Sequence, residues 1–189
     1  VPGLRAVGTA VFGVLHANPD SFSDCWPFVR AGRAGDTGRL DLGGALAAAK
    51  ELEEGGADVL DVGGESTRPG AEPVPLEVEL ARTLPVIEAL SEATALPLSI
   101  DTRKARVADA ALAAGACVVN DVSGLRDDPA IADVAAAHGA WLVIGHMRGT
   151  PATMQRSPHF DDVLAEVARE LAESIERAAR AGVAADRIV

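Results

Sequence analysis

Asp58-Val59-Leu60-Asp61-Val62-Gly63-Gly64-Glu65-Ser66-Thr67-Arg68-Pro69-Gly70 is the stretch on which the fold turns. Its first half is apolar and rich in β-branched residues, so it reads as a buried strand ending near Asp61. The second half is a loop bearing two glycines, a carboxylate, two hydroxyls and an arginine. Gly63 and Gly64 let the backbone turn sharply and approach a ligand, Arg68 offers a planar fork for phosphate or carboxylate, and Pro69-Gly70 restricts the exit. A strand delivering chemistry to a rim and a strand followed by a solvated turn fit this segment equally well, so the rest of the chain decides.

The same pattern recurs. Ala10 to Leu15 is a strand-like run opening into His16-Ala17-Asn18-Pro19-Asp20-Ser21-Phe22-Ser23-Asp24, and Leu96 to Ile100 ends in Asp101. Cys117 to Val119 leads into Asn120-Asp121-Val122-Ser123-Gly124, and Trp141 to Ile144 into Gly145-His146-Met147-Arg148. Residues Cys25 to Gly38 read as a long loop. Helices are predicted between the strands. Asp41 to Glu54 is stopped by Gly55-Gly56, and Glu77 to Glu92 is kinked or split by Pro85. Lys104 to Ala114 closes at Gly115, and Pro129 to Ala137 is followed by Gly139. Asp161 to Ala181 carries an apolar stripe of Val163, Val167, Leu171, Ile175 and Ala178. Ile188-Val189 starts a sixth strand.

Apolar strands alternating with helices indicate a parallel α/β sheet. A doubly wound sheet would gather its ligand residues at one crevice, and no GxGxxG or GxxxxGK[ST] follows the first strand here. Polar residues close every strand instead, which fits a (β/α)8 TIM-barrel with its site at the carboxyl ends of the strands. Such barrels need about 250 residues. The expectation is a single partial barrel domain over residues 1–189, comprising the first five βα units and the start of strand six, with the C-terminal portion of the barrel missing.

With 189 residues, 48% of them hydrophobic, a large core is available and a folded domain is expected. The net charge of -11 argues against a nucleic-acid or anionic-membrane surface, so an anionic ligand must be held by a local cluster. The two cysteines, Cys25 and Cys117, share no ligand spacing and read as free thiols in a reducing compartment, Cys117 in the core. No leader-like or membrane-spanning run is visible, and a cytoplasmic protein with small-molecule partners is expected.

Among the rim residues, Asp101 and Asn120 close neighbouring strands. A carboxylate accepts N–H donors and an amide both donates and accepts, so the pair suits a flat heterocycle with an amino-oxo edge, although each taken alone serves equally well to tie down a loop. His16, Asp61 and His146 lack metal-ligand spacing, and hydrogen-bonded rim residues are the favoured reading for each. Ser66, His146 and Asp101 can be drawn as a triad, but no nucleophile-elbow sequence supports one.

Taken in order, Asn18 to Asp24, Asp61 to Ala71, Ser99-Ile100-Asp101-Thr102, Asn120-Asp121-Val122 and His146-Met147-Arg148-Gly149-Thr150-Pro151 through Met154-Gln155 resemble the dihydropteroate synthase family. The likeness covers nearly all of the chain. It implies a (β/α)8 barrel that joins p-aminobenzoate to 6-hydroxymethyl-7,8-dihydropterin diphosphate with Mg2+ assistance in folate biosynthesis, a sulfonamide target, and a homodimer when full length. By matching position, Asp101 and Asn120 would hold the pterin edge and Met147 would pack near its ring. Phe22, Ser66, Thr67, Arg68 and Pro69 would close over p-aminobenzoate and the diphosphate, with Asp61 supporting the rim and Asp101, Thr67 and Arg68 serving the reaction. A methyltetrahydrofolate methyltransferase of the same barrel kind is disfavoured by the Pro19 to Asp24 loop.

Three departures from the family pattern stand out. His16 replaces an asparagine of the Mg2+ and diphosphate site, and imidazole suits transition metals better than Mg2+. Cys25-Trp26 replace glycines, which restricts the first loop. The sequence stops just before the Asp-Pro-Gly segment that the resemblance leads one to expect after strand six. The first two also motivate a non-catalytic pterin-binding paralogue as an alternative.

Overall fold

Five parallel strands stand side by side in the order in which the chain makes them. They are β1 (Phe12–His16), β4 (Val59–Gly63), β5 (Leu98–Asp101), β6 (Val118–Asp121) and β7 (Trp141–Ile144), while β2 (Val29–Arg30) and β3 (Arg39–Leu40) form a separate antiparallel pair. The computed structural model describes residues 9–17, 29–30, 39–156 and 158–189. A doubly wound sheet reverses its strand order at a switch point, and this sheet never does. Helices α1 (Leu42–Glu54), α2 (Leu76–Ala93), α3 (Ala105–Ala113), α4 (Ile131–His138) and α5 (Val163–Ala181) each pack on the next. This is the arrangement of the first five βα units of a (β/α)8 barrel. Ile188 bridges Leu142 in parallel, and Val189 exchanges backbone hydrogen bonds with Leu142 and Ile144, each at 2.9 Å, so a sixth strand begins beside β7.

Strand register sorts the side chains into two faces. Leu60, Val62, Ile100, Val119 and Leu142 are fully buried against the helices. On the opposite face, pairing aligns Val14, Asp61, Ser99 and Val118 in one row and His16, Gly63, Asp101, Asn120 and Val143 in the row above. The upper row is the rim. Local chemistry sets the helix ends: the Asp41 carboxylate accepts from Gly44 N at 3.0 Å and the Asp162 carboxylate from Ala165 N at 3.0 Å, while Gly139 and Gly182 end α4 and α5 in the left-handed region.

Four expectations need correction. The stretch read as a long loop includes Val29–Arg30, which pairs with Arg39–Leu40. Pro85 does not split α2, because Val78, Thr83, Val86, Ile87 and Leu90 bury the helix on both sides of it and outweigh a lost hydrogen bond. Cys117 is half-buried rather than in the core, its Sγ lying 3.7 Å from Leu98 O, and burial raises its thiol pKa. On α5 Ala178 of the expected stripe is fully buried and Leu171 packs on the core, but Val163 and Ile175 are 54% and 45% exposed and Glu170 and Ser174 are buried instead. That helix is turned so that polar side chains meet the rim loops. Among the described residues no helix is long and apolar enough to cross a membrane.

Candidate active site at the barrel mouth

Asp61 is buried on β4, where its Oδ2 accepts a 2.9 Å hydrogen bond from Asn120 Nδ2 on β6. Ser99, beside it in register, is the second hydroxyl or amide donor near this carboxyl. Burial raises the pKa of this carboxyl against the opposing pull of its donors. Asp101, between them on β5, keeps partial exposure, but its Oδ1 is buried and unpartnered. Burial, then the carboxylates of Asp61, Glu79 and Asp121, hold its pKa well above the usual range. Because Asn120 gives its amide N–H to Asp61, its carbonyl oxygen is left as an acceptor. The floor of the mouth therefore presents acceptors to a ligand edge rich in N–H groups.

The loop after β4 is fixed by a network that the sequence reading did not single out. Gly64 lies so close to α2 that a Cβ there would sit 2.7 Å from Thr83 Cγ2 and 3.2 Å from Glu79 O, so only glycine fits. Arg82 donates to Gly64 O at 3.1 Å. Glu65 turns inward, accepting from Val74 N and Lys104 Nζ, each at 2.7 Å, and from Arg103. Burial pushes the Glu65 carboxyl up, but the Lys104 and Val74 hydrogen bonds outweigh it and leave the pKa below the usual value. Lys104 also pairs with the fully buried Glu79, which accepts from Thr102 Oγ1 at 2.6 Å. The only sequence signal for this network is charge at positions adjoining apolar helix and strand residues. Its convergence on one cation is tertiary.

Held this way, the loop leaves Ser66, Thr67 and Arg68 half-buried and Pro69 exposed. Gly70 N donates to Pro151 O at 2.8 Å, which joins this loop to the one after β7. Met147, on that second loop, is buried and helps line a cavity of about 320 Å3 with His146, Arg148, Met154 and Phe160. Phe22, Asn18 to Asp24 and Cys25-Trp26 lie outside the described residues.

The drawn triad is not assembled. His146 Nε2 lies 2.8 Å from Glu170, and no hydrogen bond joins Ser66, His146 and Asp101. His16, Asp61 and His146 also fail as a ligand set, because among the described residues no three His, Cys, Asp or Glu side chains could hold a metal. His16 stands beside Gly63 in register, and burial lowers its pKa while Asp61 opposes that. A neutral imidazole nitrogen is a poor donor for Mg2+, so His16 does not fit that ion.

The pterin-binding enzyme family model matches residues 12–189. The dihydropteroate synthase of Synechocystis is 42% identical over 181 residues, which cover 96% of this chain and 59% of that protein. Among solved structures, Yersinia pestis dihydropteroate synthase in complex with a sulfonamide drug superposes with a TM-score of 0.82 at 38% identity, over 95% of this chain and 61% of that one. Burkholderia cenocepacia dihydropteroate synthase complexed with 7,8-dihydropteroate gives 0.78 at 42% identity, over 96% and 57%. The chain thus spans about three fifths of the length of the relatives it matches.

Proposed function

The chain belongs to the pterin-binding enzyme family, and from that premise we propose that it carries most of the substrate-binding rim of a dihydropteroate synthase. The proposed reaction condenses p-aminobenzoate with 6-hydroxymethyl-7,8-dihydropterin diphosphate and releases diphosphate. One observation supports it above others: Asp101 Oδ1 is buried without a partner, beside an Asn120 amide that Asp61 already orients. Leaving such an acceptor unpaired is costly unless a ligand supplies the donor. A pterin edge, with its amino group and ring N–H, is such a ligand.

In this reading Asp101 and Asn120 hold the pterin edge, Asp61 orients Asn120, and Met147 packs against the ring. Ser66, Thr67, Arg68 and Pro69, with Phe22 from the first loop, close over p-aminobenzoate and the departing diphosphate. Heterolysis at the pterin methylene places negative charge on the leaving group, and the Arg68 guanidinium and Thr67 hydroxyl stabilise it as it forms. Closure of the loops keeps water from the methylene carbon. Mg2+ would accompany the diphosphate rather than be held by His16, and would neutralise charge on that leaving group. We place the complete protein in the cytoplasm as a homodimer acting on small molecules, without nucleic-acid or membrane partners.

Incubating the complete protein with both substrates and Mg2+ should yield dihydropteroate. A folded protein that forms none would overturn the proposal. His16 favours one competing reading, a pterin-binding paralogue without turnover. Calorimetry separates the two, because the paralogue would bind pterin without any diphosphate-dependent binding of p-aminobenzoate.

A further inference from the structure

Glu170 on α5 is 8% exposed, and two arginines and a histidine converge on its carboxylate. His146 Nε2 lies 2.8 Å from Oε2, Arg126 Nη2 donates to Oε2 at 2.7 Å, and Arg148 Nε donates to Oε1 at 3.0 Å. Arg148 reaches further, donating to Glu166 Oε2 at 2.5 Å and to His159 O at 2.9 Å, with its guanidinium carbon 4.0 Å above the Phe160 ring. Glu166 also accepts from the backbone N–H groups of Asp161 and Asp162 at 2.7 and 3.0 Å. Glu166 and Glu170 are one helical turn apart, where like charges repel, and Arg148 bridges them.

His146 and Arg148 flank Met147. A methionine side chain has no polar group with which to fix itself, and its flexible thioether adopts whatever position its surroundings allow. Its place here is set by the two neighbours anchored to one carboxylate. Arg126 brings the loop after β6 to the same point.

We propose that Glu170 is a positioning residue for the pterin subsite: by drawing His146 and Arg148 onto α5 it fixes where Met147 meets the pterin ring. The inference rests on the pterin-binding reading above and adds to it a residue outside the barrel mouth. Glu170 itself touches no substrate.

Steady-state kinetics of the complete protein carrying E170Q, with thermal unfolding of the same sample, test this role. The KM for 6-hydroxymethyl-7,8-dihydropterin diphosphate should rise about tenfold or more, while kcat and the KM for p-aminobenzoate stay within about twofold. R148M removes the same anchor from the loop side and should reproduce the selective rise if E170Q fails to fold. A carboxylate that only staples α5 would lower the unfolding temperature and leave the pterin KM unchanged, and that result would overturn the positioning role. Absence of pterin binding by the unsubstituted protein would instead sink the functional reading beneath it.

Discussion

Asp101 sits where a carboxylate is least at home, with a buried, unpartnered oxygen and three other carboxylates around it. Folded, it binds its proton more tightly than the ordinary value of 3.8 allows. An acid of that kind makes stability fall as pH rises from its unfolded pKa through its raised folded one. Glu65 is opposite in sign: its lowered pKa contributes stability at neutral pH that is lost on acidification. Asp101→Asn should therefore raise the unfolding temperature at pH 7 by a few degrees. It should also cost about tenfold or more in pterin affinity, because a site built on a specific acceptor loses its partner. Scanning calorimetry and titration of the complete protein with the pterin diphosphate check both halves, and a variant that is less stable, or that binds as before, contradicts the account.

At the scale of elements, the loops after β6 and β7 meet with no room between them. A Cβ on Gly124 would lie 2.4 Å from Gly145 O, and Gly124 has a φ of +64°. Gly124→Ala combines that clash with a left-handed backbone, so it should destabilise by about 2–4 kcal/mol in denaturant unfolding. A loss too small to measure would mean that the loops separate freely, and the Ser174 Oγ contact to Gly124 O at 2.7 Å would then not hold them. Strands ending in polar residues were legible in the sequence because their apolar runs are short and bounded, and the sheet sets β4, β5 and β6, which carry Asp61, Asp101 and Asn120, side by side as that reading expected. The facing of α5 was not. Its apolar period over Val163, Val167, Leu171 and Ile175 is real, but the rim loops supply Arg126, His146 and Arg148, whose need for a carboxylate turns Glu170 inward. Only packing between segments distant in the chain reveals that preference, and the same holds for Lys104 serving Glu65 and Glu79 together.

For the whole molecule, the exposed large apolar side chains among the described residues, Leu42 on α1 apart, fall at the sheet flanks and on α5. Val11 and Val14 on or beside β1 are 51% and 46% exposed, and Val189 beside β7 is 64% exposed, so the apolar surface lies at both flanks of the sheet. Val163, Leu164 and Ile175 on α5 are exposed by 54%, 81% and 45%. Among the described residues β1 pairs on one side only, and a parallel edge next to exposed apolar side chains is a template for association, which the net charge of -11 opposes only weakly at physiological salt. The 189-residue chain expressed by itself should therefore elute above its monomer mass of 19.3 kDa and bind a hydrophobic dye such as anilinonaphthalene sulfonate. Leu164→Lys with Ile175→Lys should reduce association through α5 but leave that through the sheet flanks. Light scattering coupled to size exclusion reads the mass directly. A monomer that excludes the dye and unfolds in one cooperative step would show that these surfaces are covered in solution, and an open edge at β1 would have to be abandoned.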